Sequence, residues 1–225
     1  MEDLKTKPTA DSSLKPFQTI LTSGAKGTKL GDHHKSSFAS VPLHRHKYSN
    51  LVCVLEHCKN PQNLGSIIRN VDALGIGALF IVTDNPTWLT YFSTIKMGRN
   101  QTIPPQCKKL HKMLRTTSKA CNQWINITAF PSSEDLIQFL NTNHFANVAT
   151  SPHQFGKTNI NLDDAYILDE KIAIWFGSEN NGLSPTAIQN AKYCIQIPMC
   201  GIVESMNLAS CTAIVLHYFT MMMRK

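Results

Sequence analysis

The stretch IQIPMCGIVESMN (195–207), running on into LASCTAIVLHYF (208–219), decides how the chain folds. Residues 195–197 read as the end of a buried strand. Pro198 has no N–H to give a ladder and ends it, and Gly201 permits a tight, left-handed turn. Ser205 and Asn207 stand where a helix needs side-chain acceptors for its first free N–H groups. The run after Asn207 is apolar on nearly every side, so this helix is expected to be largely buried. A strand, a loop of bare backbone and a capped, buried helix can hold a flat ligand against main-chain groups. The same pattern also serves as a plain strand-to-helix connection, and on this stretch alone both readings stand.

Two earlier stretches repeat the design. NLVCVLEH (50–57) reads as a buried strand and is followed by CKNPQNLGSIIRNVDALGIGALFIVTD (58–84). Asn60 is a helix cap with proline at the first helical position. Leu64, Ile67, Ile68, Val71 and Leu74 recur at helical spacing and form one core-facing stripe. Gly75 and Gly77 end the helix, and residues 78–82 are the next strand, so this is a βαβ unit with parallel strands. Asn63, Ser66 and Asn70 share the opposite face, with Arg69 on its flank. Such a face is usually just solvated, but Asn63 and Arg69 lie beyond a strand's carboxyl end, where open α/β sheets bind ligands. The second stretch, IWFGSENNGLSP (174–185), sets a polar run between glycines after a buried strand, and Ser184-Pro185 opens another helix.

Between Asp84 and Glu134 no residue is acidic. That stretch holds Lys96, Arg99, Lys108, Lys109, Lys112, Arg115 and Lys119, with Trp88, Tyr91, Phe92 and Trp124 among them. So one-sided a patch fits contacts to phosphates, and the cations from Lys96 to Arg115 are the candidate contacts to a polyanionic partner. Residues 108–122 are expected to be helical. Strands are expected at 124–130, 147–150 and 171–176, with a helix over 134–140.

The whole chain has 225 residues, 42% of them hydrophobic, and a net charge of +7. No apolar run approaches the ~20 residues of a membrane-spanning helix, and the polar N-terminus has no secretory pattern. The seven cysteines form no Cys-x-x-Cys pair and fall mostly in apolar segments. Buried thiols in a reducing cytoplasm, with no metal site, are the expectation. Residues 1–48 carry eight Lys/Arg, four Asp/Glu and four histidines, without periodicity. They are expected to form a basic, weakly structured arm ahead of one domain over 49–225. His33, His34, His44 and His46 lack partners at ligand spacing and belong with that basic arm.

Taken in order, NPQNLGSIIRN, IWFGSENNGLSP and IPMCGIVESMNLASCTAI resemble the three motifs of the SpoU/TrmH group of SPOUT methyltransferases, RNA ribose 2′-O-methyltransferases. The resemblance covers roughly residues 50–220. It implies an α/β fold, a mostly parallel sheet flanked by helices, whose C-terminal segment is threaded into a deep trefoil knot, a rare exception to unknotted chains. It also implies S-adenosylmethionine as cofactor and a homodimer with composite sites. By position, Thr150, Gly177, Ile197 and Met206 would contact the cofactor, with Met199 and Gly201 close by. Asn63, Arg69, Glu179, Ser205 and Asn207 match positions tied to catalysis and substrate orientation. Met206 stands where leucine is commoner, and its volume and flexibility suit the same place. The chain stops soon after the third-motif helix, so a C-terminal RNA-binding extension of some tRNA-modifying relatives is expected to be absent. The arm is also short for the N-terminal domain of rRNA-modifying ones.

A catalytically silent RNA-binding protein of the same fold is the alternative; loss of Arg69 or Asn207 would favour it, and both are present. A Rossmann-type nucleotide oxidoreductase is disfavoured, because CKNPQN stands where a Gly-x-Gly-x-x-Gly would follow the first strand.

Overall fold

The computed structural model describes residues 48–94, 102–152, 159–167 and 169–224. Apart from Tyr48, the expected basic arm lies outside them, as do Lys96 and Arg99. Among the described residues the sheet has seven strands: β1 (Tyr48–Glu56), β2 (Ile76–Val82), β3 (Ile127–Phe130), β4 (Ala146–Thr150), β5 (Ile160–Asn161), β6 (Ile172–Phe176) and β7 (Tyr193–Gln196), in the order β3-β2-β1-β6-β4-β7-β5. Every pairing among them is parallel.

Helices cover both faces, as a parallel sheet requires. Alternation along β1 sends Leu51, Cys53 and Leu55 into one core cluster and Val52 and Val54 into the other. The first cluster receives α1 (Pro61–Leu74), α2 (Pro86–Thr94), α3 (Lys108–Thr117) and α6 (Leu208–Met222). The second receives α4 (Ser133–Thr142) and α5 (Pro185–Asn190). The central strands are buried almost throughout, which explains why they read as unbroken apolar runs.

The βαβ unit forms as its sequence dictates. The Asn60 side chain accepts from the Gln62 N–H at 2.8 Å, Pro61 opens α1, and Gly75 closes it in the left-handed region at φ 70°. Leu64, Ile67, Ile68 and Val71 are fully buried, each contributing about 1.5–3 kcal/mol. Gly65 lets α3 pack against α1, because a Cβ there would lie 1.7 Å from Thr117 Oγ1.

Several expectations are corrected. The helix expected over 108–122 ends at Thr117, because Lys119 and Ala120 take positive φ angles of 53° and 65°. The strand expected from 124 begins at Ile127. Helix α2 and the two-residue strand β5 were not anticipated. The strand expected over 195–197 is β7, which ends at Gln196 and leaves Ile197 in the loop. Helix α6 is not buried all round: Ser210, Ile214, His217 and Met221 are exposed along one stripe. Of the cysteines, Cys200 is exposed, and Cys121 and Cys211 are half-buried.

Candidate active site

The three loops meet beyond the carboxyl ends of β1, β6 and β7. Asn207 caps α6, its Oδ1 accepting from the N–H groups of Ala209 at 2.9 Å and Ser210 at 3.4 Å. A backbone N–H can only donate, so this use of Oδ1 turns the Asn207 amide nitrogen outward. That nitrogen donates to Asn63 Oδ1 at 3.1 Å. Asn63 in turn donates from Nδ2 to Glu179 Oε1 at 2.8 Å. A directed chain of hydrogen bonds thus runs from the α6 N-terminus to a carboxylate, linking all three sequence motifs. Asn70, one turn pair further along α1, donates to Ala209 O at 3.1 Å. The polar face of α1 therefore meets α6.

Glu179 also accepts from the Lys59 N–H at 3.4 Å and faces the Cys58 thiol at 3.7 Å. Partial desolvation pushes its carboxyl up. The hydrogen bonds from Asn63, from backbone N–H groups and from Cys58 outweigh this and hold it below the usual carboxylate range. Cys58 is buried, and burial together with the Glu179 charge pushes its thiol up to about 12, so it stays protonated as a donor. Cys58 and Lys59 carry no motif letter that spacing could single out.

A cleft opens between the ends of β4 and β7 and the flank of α6, with Thr150, Ile197, Met199, Ser205, Met206 and Val215 in its lining. Four of the six expected cofactor residues are therefore together, and Ser205 joins them. Gly177 and Gly201 are not in the lining. Gly177 is nonetheless irreplaceable in shape: a Cβ there would lie 2.0 Å from the Gly182 carbonyl carbon. The loop is pinched at that point by paired hydrogen bonds between Ser178 and Gly182, both 3.0 Å. For Gly201 the expectation of a left-handed turn is overturned. It has no positive φ, and a Cβ would meet nothing within 4 Å. Thr150 spends its hydroxyl on Trp175 O at 2.8 Å, joining β4 to β6.

Arg69 stands apart from Asn63, Glu179 and Asn207. It is exposed and makes no hydrogen bond or ion pair among the described residues. Its charge is felt by Cys121, where burial first and the Asp72 carboxylate next push the thiol up to about 11. Arg69 thus faces the side where α3 packs. On α3, Lys108, Lys109, Lys112 and Arg115 are all exposed, while Leu110 and Leu114 are buried. Among the described residues no group of three or more His, Cys, Asp or Glu could hold a metal ion, and no helix is long and apolar enough to cross a membrane.

A doubly covered parallel sheet with its polar network beyond the strands' carboxyl ends defines an α/β fold, and that edge is where open α/β sheets bind ligands. The sequence profile of the SpoU rRNA Methylase family matches residues 99–217, more than half of the chain. The chain belongs to this family. The matched stretch holds the second and third motifs, and Asn63 and Arg69 precede it. The chain is 27% identical over 196 residues to the tRNA (guanosine(18)-2′-O)-methyltransferase of Borreliella burgdorferi, covering 87% of this chain and 77% of that one. It is 26% identical over 172 residues to the 23S rRNA (guanosine-2′-O-)-methyltransferase of Haemophilus influenzae, covering 76% and 59%. Among solved structures, the TrmH/SpoU tRNA modifying enzyme of A. aeolicus has the same fold, with TM-score 0.62 at 20% identity over 81% of this chain and 79% of that one. So does the SpoU methyltransferase AviRb of Streptomyces viridochromogenes, solved with AdoMet, with TM-score 0.60 at 20% identity over 80% and 61%.

Proposed function

We propose that this protein transfers the methyl group of S-adenosylmethionine to a ribose 2′-hydroxyl of structured RNA, tRNA or rRNA, as a cytoplasmic homodimer without metal. The observation that carries the reading is the hydrogen-bond chain Asn207–Asn63–Glu179, which ties the three motif loops into one site. Family membership and the names of the similar enzymes support it.

The cleft suits the cofactor: Ile197, Met199, Met206 and Val215 offer apolar contact, and the adjoining loop offers main-chain groups. Thr150, Ile197, Met199 and Met206 would hold it, with Gly177 and Gly201 shaping the loops on either side. In the proposed fold those loops are held by the C-terminal trefoil knot. When bound, S-adenosylmethionine supplies an electrophilic sulfonium methyl. The protein's own part is to place the ribose hydroxyl in line and to favour its deprotonation. Arg69 would hold the neighbouring phosphate and stabilise the developing oxyanion, since a guanidinium keeps its proton. Asn63, Glu179, Ser205 and Asn207 would fix the loops that present the methyl group. The exposed cations of α3 would contact RNA phosphates, as would Lys96 and Arg99.

The dimer is supported by what one copy leaves uncovered. Ile202 is 102% and Val203 63% exposed on the third-motif loop, and Ile214 and Met221 are exposed on α6. A second copy of the chain would cover these exposed apolar side chains. The test is methyl transfer by the full-length protein from labelled S-adenosylmethionine to tRNA and to rRNA lacking 2′-O-methyl groups, with the modified nucleotide mapped afterwards and the oligomeric state measured by light scattering. Label at a 2′-oxygen in one RNA class, from a dimer, is the expected result. Tight RNA binding without cofactor binding would instead establish the silent RNA-binding protein.

A further inference from the structure

Glu56 ends β1 with 1% of its surface exposed. A carboxylate so deep is costly unless it is well hydrogen-bonded. No cation pairs with it among the described residues. Its partners are two serines at helix starts. The Ser184 N–H donates to Oε2 and the Ser184 hydroxyl to Oε1, both at 2.6 Å, and the Ser133 hydroxyl also donates to Oε1. Ser133 begins α4, and Ser184 caps α5, its Oγ accepting from Ala187 N–H at 3.1 Å.

The placement of Ser184 matters more than the burial. Ser184 closes the loop that starts at Gly177. Near its other end, Glu179 is held by Cys58, Lys59 and Asn63, which lie two to seven residues after Glu56. One short segment, residues 56–63, therefore grips the loop at both ends, on the α1 face at Glu179 and on the α5 face at Ser184. The Ser178–Gly182 pinch, which spans the Glu179 grip, takes up further slack. We propose that Glu56 is a positioning residue for methyl transfer: through Ser184 it fixes the far end of the loop that sets Gly177 and Glu179. This assignment of role rests on the function proposed above.

The carboxylate has one branch toward the site, to Ser184, and one away from it, to Ser133. That asymmetry supplies the test. Glu56→Gln, Ser184→Ala and Ser133→Ala are compared in the full chain by melting temperature, by calorimetric Kd for S-adenosylmethionine, by KM and kcat in methyl transfer, and by amide hydrogen exchange over 177–184. All three variants melt earlier. Glu56→Gln and Ser184→Ala raise Kd and KM for the cofactor by about tenfold, the scale of one lost charge-assisted hydrogen bond, with kcat changed much less. They also speed exchange in the loop, and Ser133→Ala does neither. Equal Kd and equal exchange in all three variants and the wild type would overturn the proposal, as would Ser133→Ala matching Ser184→Ala. If Glu56→Gln does not fold, Ser184→Ala against Ser133→Ala decides alone. A wild type that binds no S-adenosylmethionine would refute the proposed function, and the exchange rates would still decide whether Glu56 fixes the loop.

Discussion

Asn63 donates to Glu179 at 2.8 Å across a sequence separation of 116 residues. The bond stabilises the ionised carboxylate, so its effect on stability has a definite sign. A carboxyl whose folded pKa is depressed contributes stability that is complete above its unfolded value, about 4.3, and is lost as pH falls through the folded value. Urea unfolding of wild type and Glu179→Gln should therefore differ most above the unfolded value and converge as pH falls through the depressed folded one. A gap that widens on acidification would contradict the hydrogen-bonded arrangement.

Gly177 and Gly201 look equivalent in sequence and should behave oppositely. An added methyl at Gly177 collides with backbone, which cannot swing aside as a side chain would. Gly177→Ala should cost about 3 kcal/mol or more of stability. Gly201→Ala should stay within about 0.5 kcal/mol. Denaturant midpoints of the two variants measure both.

Arg69 separates two roles for a cation. Acting as a fixed charge, it should leave measurable single-turnover activity in Arg69→Lys, while Arg69→Ala loses about 10²–10⁴-fold. Cofactor Kd should be unchanged in both, because Arg69 is not in the lining of the cleft. A pH–rate profile displaced in Arg69→Lys would instead mark the residue as a base, since lysine gives up its proton more readily.

The exposed cations of α3 should announce themselves through salt. Reversing the charge of Lys108, Lys109 and Lys112 together should weaken RNA binding and flatten its dependence on log salt by about two to three units, at roughly 0.9 per phosphate contact on a duplex. Calorimetry with S-adenosylmethionine should show the same Kd as wild type. Unchanged RNA affinity would reduce this surface to a solvated face.

The legible parts of the fold are those governed by local chemistry. Asn60-Pro61 and Gly75 bound α1 as read, because caps and left-handed stops are properties of a few neighbouring residues. The missed helix α2 carried the same signal: Asn85 precedes Pro86, and its side chain accepts from the Thr87 N–H at 2.9 Å. Glu56 was passed over too, although a carboxylate ending an apolar strand is a signal of its own. Other features lay beyond local reading. Whether a glycine takes positive φ depends on the surrounding path, so Gly201 misled. The link between Asn63 and Asn207 joins residues 144 apart, a distance no periodicity spans. Only the family resemblance brought those residues together in the sequence, and it said nothing of Glu56, Cys58 or Lys59.

The strand order has a consequence for how the protein is made. β6 lies between β1 and β4 yet is translated on the order of a hundred residues after β1. At ~5–20 residues per second on the ribosome, one edge of the apolar strand β1 stays open for roughly 6–20 s before its neighbour exists. Such an edge is a template for pairing with other chains. Only the arrival of the central strand closes that edge with the chain's own backbone.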